Sequence, residues 1–215
     1  MDPNLTDVVT VVVLGYMGVR LASGARYSRS FAGRALVGEI VRGIRWRHVW
    51  PVPLVLAGVL AVATPLLMLP VLDWGWWQAV GGEGNPVFGS SSTTAGSPLE
   101  WIIPLAFMCL LIPALPLFAH AEERLCRSGA ERWSWARRVS KVLQFGLMHA
   151  LIGIPIGVAL ALSVGGAYFM AVYLAAWRRT FSEREATMES TRAHTAYNGA
   201  IIFLVLVVVI VDALL

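Results

Sequence analysis

Lysine is almost missing from this chain. Lys141 stands alone against 16 arginines, and charged residues of every kind make up 14% of the 215 positions, too few to solvate the surface of an ordinary soluble domain. A hydrophobic share of 57% and a mean hydropathy of +0.68 point the same way and predict an integral membrane protein. Cysteine is scarce as well. Cys109 lies in an apolar run and Cys126 in a charged segment, with no CxxC spacing, which excludes a disulfide framework or zinc knuckle and leaves two free thiols. There is no Walker loop, dinucleotide fingerprint or internal repeat, so neither phosphate chemistry nor a repeat-built transporter is expected. No basic stretch precedes the first apolar run, which follows Met1-Asp2-Pro3-Asn4, so that run is expected to stay in the membrane instead of being cleaved.

Apolar runs are plentiful, at roughly 8–22, 50–72, 101–120, 142–163, 164–177 and 199–215. Each span uses about 20 residues, so the length allows one membrane domain over 1–215 and no sizeable globular addition. The expected fold is all-α, a polytopic transmembrane helix bundle of about six apolar segments. The first run is short and carries Arg20, so it either spans or lies along the interface. From Val142 to Trp177 there is no Asp, Glu, Lys or Arg, which predicts a helical hairpin turning at Gly165-Gly166, with its first arm kinked at Pro155 between Gly153 and Gly157.

Charge orients the bundle. The 23–48 segment holds Arg26, Arg29, Arg34, Arg42, Arg45 and Arg47 against Glu39 alone, whereas 73–100 holds Asp73, Glu83 and Glu100 with no cation. The first is expected on the cytoplasmic side together with the Arg-rich segments 121–141 and 178–193, and the second outside. The arginines lie between apolar runs, where they set topology, so nucleic acid is not an expected partner; the lipid bilayer is. Trp74-Gly75-Trp76-Trp77 reads as an interfacial anchor ahead of a flexible outer loop.

Ionisable groups at membrane depth are costly and mark either a functional site or a satisfied structural pair. They are His120, Glu122, Glu123 and Arg127 at the end of the third main run, His149 in the fourth, and His194 with Asn198 before the last. On a continuing helix Glu123 and Arg127 share a face and pair, while Glu122 points about 100° away without a partner. Phe145 and His149 sit one turn apart, as do His194 and Asn198, so donors from the latter two can aim at one spot. Taken alone, each of these fits a helix-end salt bridge or a core histidine. His120 reads as an interfacial histidine.

In order, Glu122-Glu123-x-x-x-Arg127, Phe145-x-x-x-His149 and His194-x-x-x-Asn198 resemble the three motifs of the CAAX-protease and bacteriocin-processing (Abi, CPBP) family of intramembrane peptidases. The resemblance covers residues 120–200. Phe is 8 and Asn 3 of the 215 residues, so both partners at these offsets from two given histidines would coincide by chance about once in two thousand. The resemblance implies an active-site cavity near the cytoplasmic side of the plasma membrane of a bacterium, acting on a peptide or membrane-protein substrate. It further implies that Glu122, helped by His149, activates a water, that His194 and Asn198 stabilise the oxyanion, and that Glu123, Arg127 and Phe145 support them, with no cofactor. The same donors leave open a zinc site of Glu122, His149 and His194. A non-catalytic member of the fold, acting in bacteriocin self-immunity or as a scaffold, is the alternative function. The chain departs from the family pattern at Cys126, at Ser128 before Gly129, and in the long charged segment 178–193. That segment reads as a solvated extension of the last helix, or else as a cytoplasmic gate.

Overall fold

A computed structural model describes residues 5–75 and 96–214. The described residues are helical, with no strand: α1 Leu5–Ser28, α2 Phe31–Arg42, α3 Trp46–Val49, α4 Val52–Leu67, α5 Leu99–Arg127, α6 Trp135–Met148, α7 Ile156–Ala161, α8 Ser163–Thr180 and α9 Glu183–Leu214. Trp76, Trp77 and Glu83 of the expected outer loop lie outside the described residues.

Local sequence sets the boundaries. Ser30 caps α2 by accepting the Gly33 N–H at 3.0 Å, and Ser134 caps α6 by accepting that of Arg137 at 3.3 Å. Ser182 does the same for Glu185 at 3.3 Å and starts α9 directly after Phe181, whose φ of 50° lets the chain turn out of α8.

Three stretches, Trp46–Leu67, Leu105–Arg132 and Ile156–Thr180, are long and apolar enough to cross a membrane. Only 22%, 28% and 44% of their apolar windows are buried, so most of that surface points outward, an arrangement that favours lipid over water. The segmentation differs from the expected six runs after residue 142. α6 stops at Met148, a 3-10 turn covers His149–Ile152, and the chain reverses at Gly153, where φ is 90°, ahead of Pro155. A left-handed glycine followed by a residue with no N–H ends a helix more decisively than two adjacent glycines do.

Gly165-Gly166 therefore lies inside α8 and is no turn. Its job is close approach. A Cβ on Gly166 would stand 2.9 Å from the Phe145 ring and 3.2 Å from the Val142 carbonyl, and one on Gly146 would overlap the Ala159 carbonyl and Ser163 Oγ. These glycines let α6 and α8 meet backbone to backbone, as small residues do at membrane helix interfaces.

The three Arg-rich segments meet at one end of the molecule. Arg184 pairs with Glu39 at 2.6 Å, Arg47 with Glu189 at 2.8 Å and Arg132 with Glu183 at 3.3 Å. The opposite end joins Leu72 and Trp74 to Gly157 and Ile156 through backbone hydrogen bonds of 2.7 and 3.0 Å. The segment 178–193 is solvated only in its first half: residues 178–185 are exposed or half-buried around the break at Phe181-Ser182, and the rest departs from the expected extension. Ala186 through Thr191 is buried, because this part of α9 is enclosed by α2, α3, α5 and α8.

The glycine contacts give a direct test. Gly146→Ala should lower stability by about 1–3 kcal/mol through overpacking. Gly18→Ala, facing open space on α1, should raise it by about 0.5–1 kcal/mol. Thermal unfolding of both variants in one detergent separates them, and equal shifts would contradict the packing described.

Candidate active site

The site begins with a carboxylate that has no access to water. Glu123 is fully buried near the end of α5, and it is held by three side chains from two helices. Arg127 Nη1, one turn on, donates to Oε1 at 2.9 Å; His194 Nδ1 of α9 donates to the same oxygen at 2.9 Å; Ser190 Oγ, one turn before His194, donates to Oε2. Arg127 is fully buried as well and reaches a third helix, donating from Nη2 to the Gly166 carbonyl of α8 at 3.2 Å. A buried ion pair is tolerable only with its remaining hydrogen-bonding atoms occupied, and here both Glu123 oxygens and both terminal Arg127 nitrogens are bonded. The exception is Arg127 Nε, which has no acceptor.

Aromatic rings close the space around the pair. The Arg127 guanidinium lies 4.3 Å over the Phe145 ring of α6 and 5.5 Å over the Phe169 ring of α8. His194 stacks on Phe169 with centroids 4.4 Å apart and meets Phe145 edge-on at 5.3 Å. The imidazole is thus fixed in orientation by rings and in tautomer by Glu123. An ionised carboxylate only accepts, so Nδ1 carries the hydrogen and the Nε2 lone pair of the neutral ring is directed away.

Nε2 looks toward Glu122. Its carboxylate Oε2 lies 3.8 Å away, and that oxygen is buried with no hydrogen-bond partner although the side chain as a whole is 29% exposed. A separation of 3.8 Å is too long for a direct bond and suits one bridging water. His194 therefore stands between two carboxylates, bonded to one and open to the other.

The remaining expected residues fall as follows. Phe145 is buried and its ring sits 5.2 Å from that of His149, as the one-turn spacing implies. His149 is half-buried, and its Nδ1 is taken by the Phe145 carbonyl at 2.9 Å, leaving Nε2 for other use. It makes no ion pair with Glu122, so the ring beside that carboxylate is His194, with His149 reaching the cluster only through Phe145. Asn198, half-buried one turn beyond His194, joins none of these bonds. Among the described residues no three His, Cys, Asp or Glu side chains are grouped to share an ion, so Glu122 and His194 supply two of the donors a zinc site would need and His149 stands apart. His120, half-buried, donates from Nδ1 to Thr191 Oγ1 at 3.2 Å, since that hydroxyl spends its own hydrogen on the Thr187 carbonyl at 2.8 Å.

Sequence reasoning did not pick out Ser190 and Phe169. Ser190 was within reach, being four residues before His194 as Asn198 is four after. Phe169 carries no local signal. A second buried carboxylate, Glu189, adjoins Ser190. Arg47 Nη2 and His48 Nε2 hold its Oε2 at 2.8 and 3.2 Å, and Arg192 Nη1 holds its Oε1 at 2.8 Å. The Arg45 backbone N–H donates to His48 Nδ1 at 2.9 Å, which places the ring hydrogen on Nε2 facing Glu189. Burial works to raise the Glu189 carboxyl. The hydrogen bonds from His48 and Arg192 and the charges of His48 and Arg47 outweigh it and hold the group down at about 2.

No family model, curated protein or solved structure matches this chain.

Glu123→Gln leaves the Arg127 charge buried without its counter-ion and should cost about 3–5 kcal/mol, part of it recovered in the double variant with Arg127→Met. Additive losses in unfolding experiments would show that the two do not act as a pair. Glu189 titrates near 2 in the native protein against 4.5 for a free glutamate, so its contribution is complete above about pH 4.5 and fades as pH falls toward 2. Stability measured across that window should be flatter for Glu189→Gln than for the wild type.

Proposed function

We propose that this protein is a membrane-embedded peptidase of the CAAX-protease-like type, hydrolysing a peptide bond with a water activated by Glu122. The observation that carries this reading is the unpartnered, buried Oε2 of Glu122 lying 3.8 Å from His194 Nε2, while the other imidazole nitrogen is anchored by Glu123. A buried polar atom without a partner asks for an explanation, and among the described residues Glu122 Oε2 is the one carboxylate oxygen in that condition.

In the proposed reaction a water between Glu122 and His194 gives a proton to the Glu122 carboxylate as its oxygen attacks the scissile carbonyl carbon. The oxyanion that forms is met by the Asn198 amide, while the neutral His194, its Nδ1–H held by Glu123, accepts a hydrogen bond from the water at Nε2 and so orients the attack. Collapse breaks the carbon–nitrogen bond, and the proton held by Glu122 passes to the leaving amine. His149 has its Nε2 free for substrate or water. Such a protein belongs in the plasma membrane of a bacterium, facing peptide or membrane-protein substrates from the cytoplasmic side, where the Arg-rich segments lie. A metal held by Glu122 and His194 is the competing way to activate the same water.

A second reading has its own support. The Glu123–Arg127–Ser190–His194 network saturates Glu123 and ties α5, α8 and α9 together, which is what polar glue between membrane helices requires. A non-catalytic immunity or scaffold protein would keep that network with no use for Glu122.

Purified protein presented with a membrane-peptide library distinguishes these. We expect cleavage that resists chelators and falls by about 10²–10⁴-fold in Glu122→Gln. Loss of cleavage with a chelator moves the mechanism to metal. No cleavage by folded wild type, or undiminished cleavage by Glu122→Gln, removes the glutamate mechanism.

A further inference from the structure

The segment from the end of α1 to the start of α4 is a cationic, aromatic surface with almost no acid of its own. Arg26, Arg29, Arg34, Arg42 and Arg45 are exposed and have no carboxylate partner among the described residues. The one acid within the segment, Glu39, is taken by Arg184 at 2.6 Å, and Glu189 of α9 is taken by Arg47 and His48. Interleaved with the arginines, Tyr27, Phe31, Trp46 and Trp50 are 49%, 84%, 75% and 50% exposed, an aromatic edge beside the charges whose purpose lies in where it sits.

Placement gives that purpose. α2 buries Gly33 and Ile40, half-buries residues 36–39, and leaves Phe31, Ala32, Arg34, Ala35, Val41 and Arg42 exposed. It runs for about 18 Å at 1.5 Å per residue. It joins the end of α1 to Trp46, where the apolar stretch Trp46–Leu67 begins. Trp46 and Trp50 at such a boundary settle at head-group depth, and Arg42 and Arg45 are within one turn or so of them along the chain. Two of the guanidiniums are already braced: Arg34 Nη1 donates to the Arg29 carbonyl at 2.5 Å and Arg42 Nε to the Gly38 carbonyl at 3.2 Å, each leaving further N–H groups facing out. Planar guanidiniums prefer phosphate, which they bind in bidentate fashion.

We propose that α2 and its flanking arginines form a binding surface for anionic phospholipid head groups, with α2 lying in the plane of the cytoplasmic leaflet. The occupant is a phosphodiester lipid carrying net negative charge, in preference to a zwitterionic one. The proposal is independent of peptidase activity.

The test uses the full chain purified in detergent with equal phosphatidylglycerol and phosphatidylcholine, with retained lipid counted by native mass spectrometry. Wild type should retain phosphatidylglycerol preferentially, and the triple variant Arg29→Gln, Arg34→Gln, Arg42→Gln should lose that preference by about fivefold per arginine. A control removing the same charge elsewhere on that side, Arg137→Gln, Arg178→Gln, Arg179→Gln, should keep it. Equal retention of the two lipids by wild type overturns the proposal whether or not the variants fold, and leaves the arginines as a topology signal. Loss of preference in the control as strong as in the triple variant also overturns it, since net charge would then suffice. Salt-sensitive binding of a polyglutamate probe by a wild type indifferent to lipid would reassign the surface to an acidic protein.

Discussion

A charge with no access to water dictates much of this bundle. Once Glu123 is buried, its ionised form is sustainable only with donors on both oxygens, and those donors come from α5 and α9 with α8 closing the far side of Arg127. Association of membrane helices gains little from hydrophobic burial, because lipid is as apolar as the side chains. Polar demand and close backbone contact must supply the specificity instead. The contact is supplied by Gly146 and Gly166, which bring α6 against α8 and deliver Phe145 to the Arg127 face.

Glu122 gains its character from its neighbour. Its own helix turns it out of the Glu123 network, yet the network presents His194 Nε2 to it. Two adjacent glutamates thus occupy opposite conditions, one saturated and one wanting a partner.

The parts of this arrangement that depend on helical spacing were legible in the sequence. Glu123 with Arg127, Phe145 with His149, and Glu122 left over all follow from 100° per residue. Ser190 obeyed the same rule and was passed over because serine in a charged segment looks solvated. What spacing could not reach was anything formed across the chain, such as His48 with Glu189, 141 residues apart. The reversal at Gly153 and Pro155 was misplaced to Gly165-Gly166 because a glycine pair serves equally for turning and for close approach. Which it does depends on what packs against it, here the Phe145 ring.

Between Glu183 and Asn198 the last helix contains no glycine or proline. Glu189, Ser190 and His194 therefore ride on one stiff rod, with the clamp of Arg47 and His48 on Glu189 and the Glu123 network only a turn apart. Neither can be repositioned without moving the other. In descent, this makes Arg47 and His48 on one side and Glu123 on the other into dependent traits: an amino-acid change that slides the rod at the Glu189 clamp is acceptable only alongside a compensating change around Glu123. Variation at these distant positions should therefore be inherited jointly, although no atom of one touches the other.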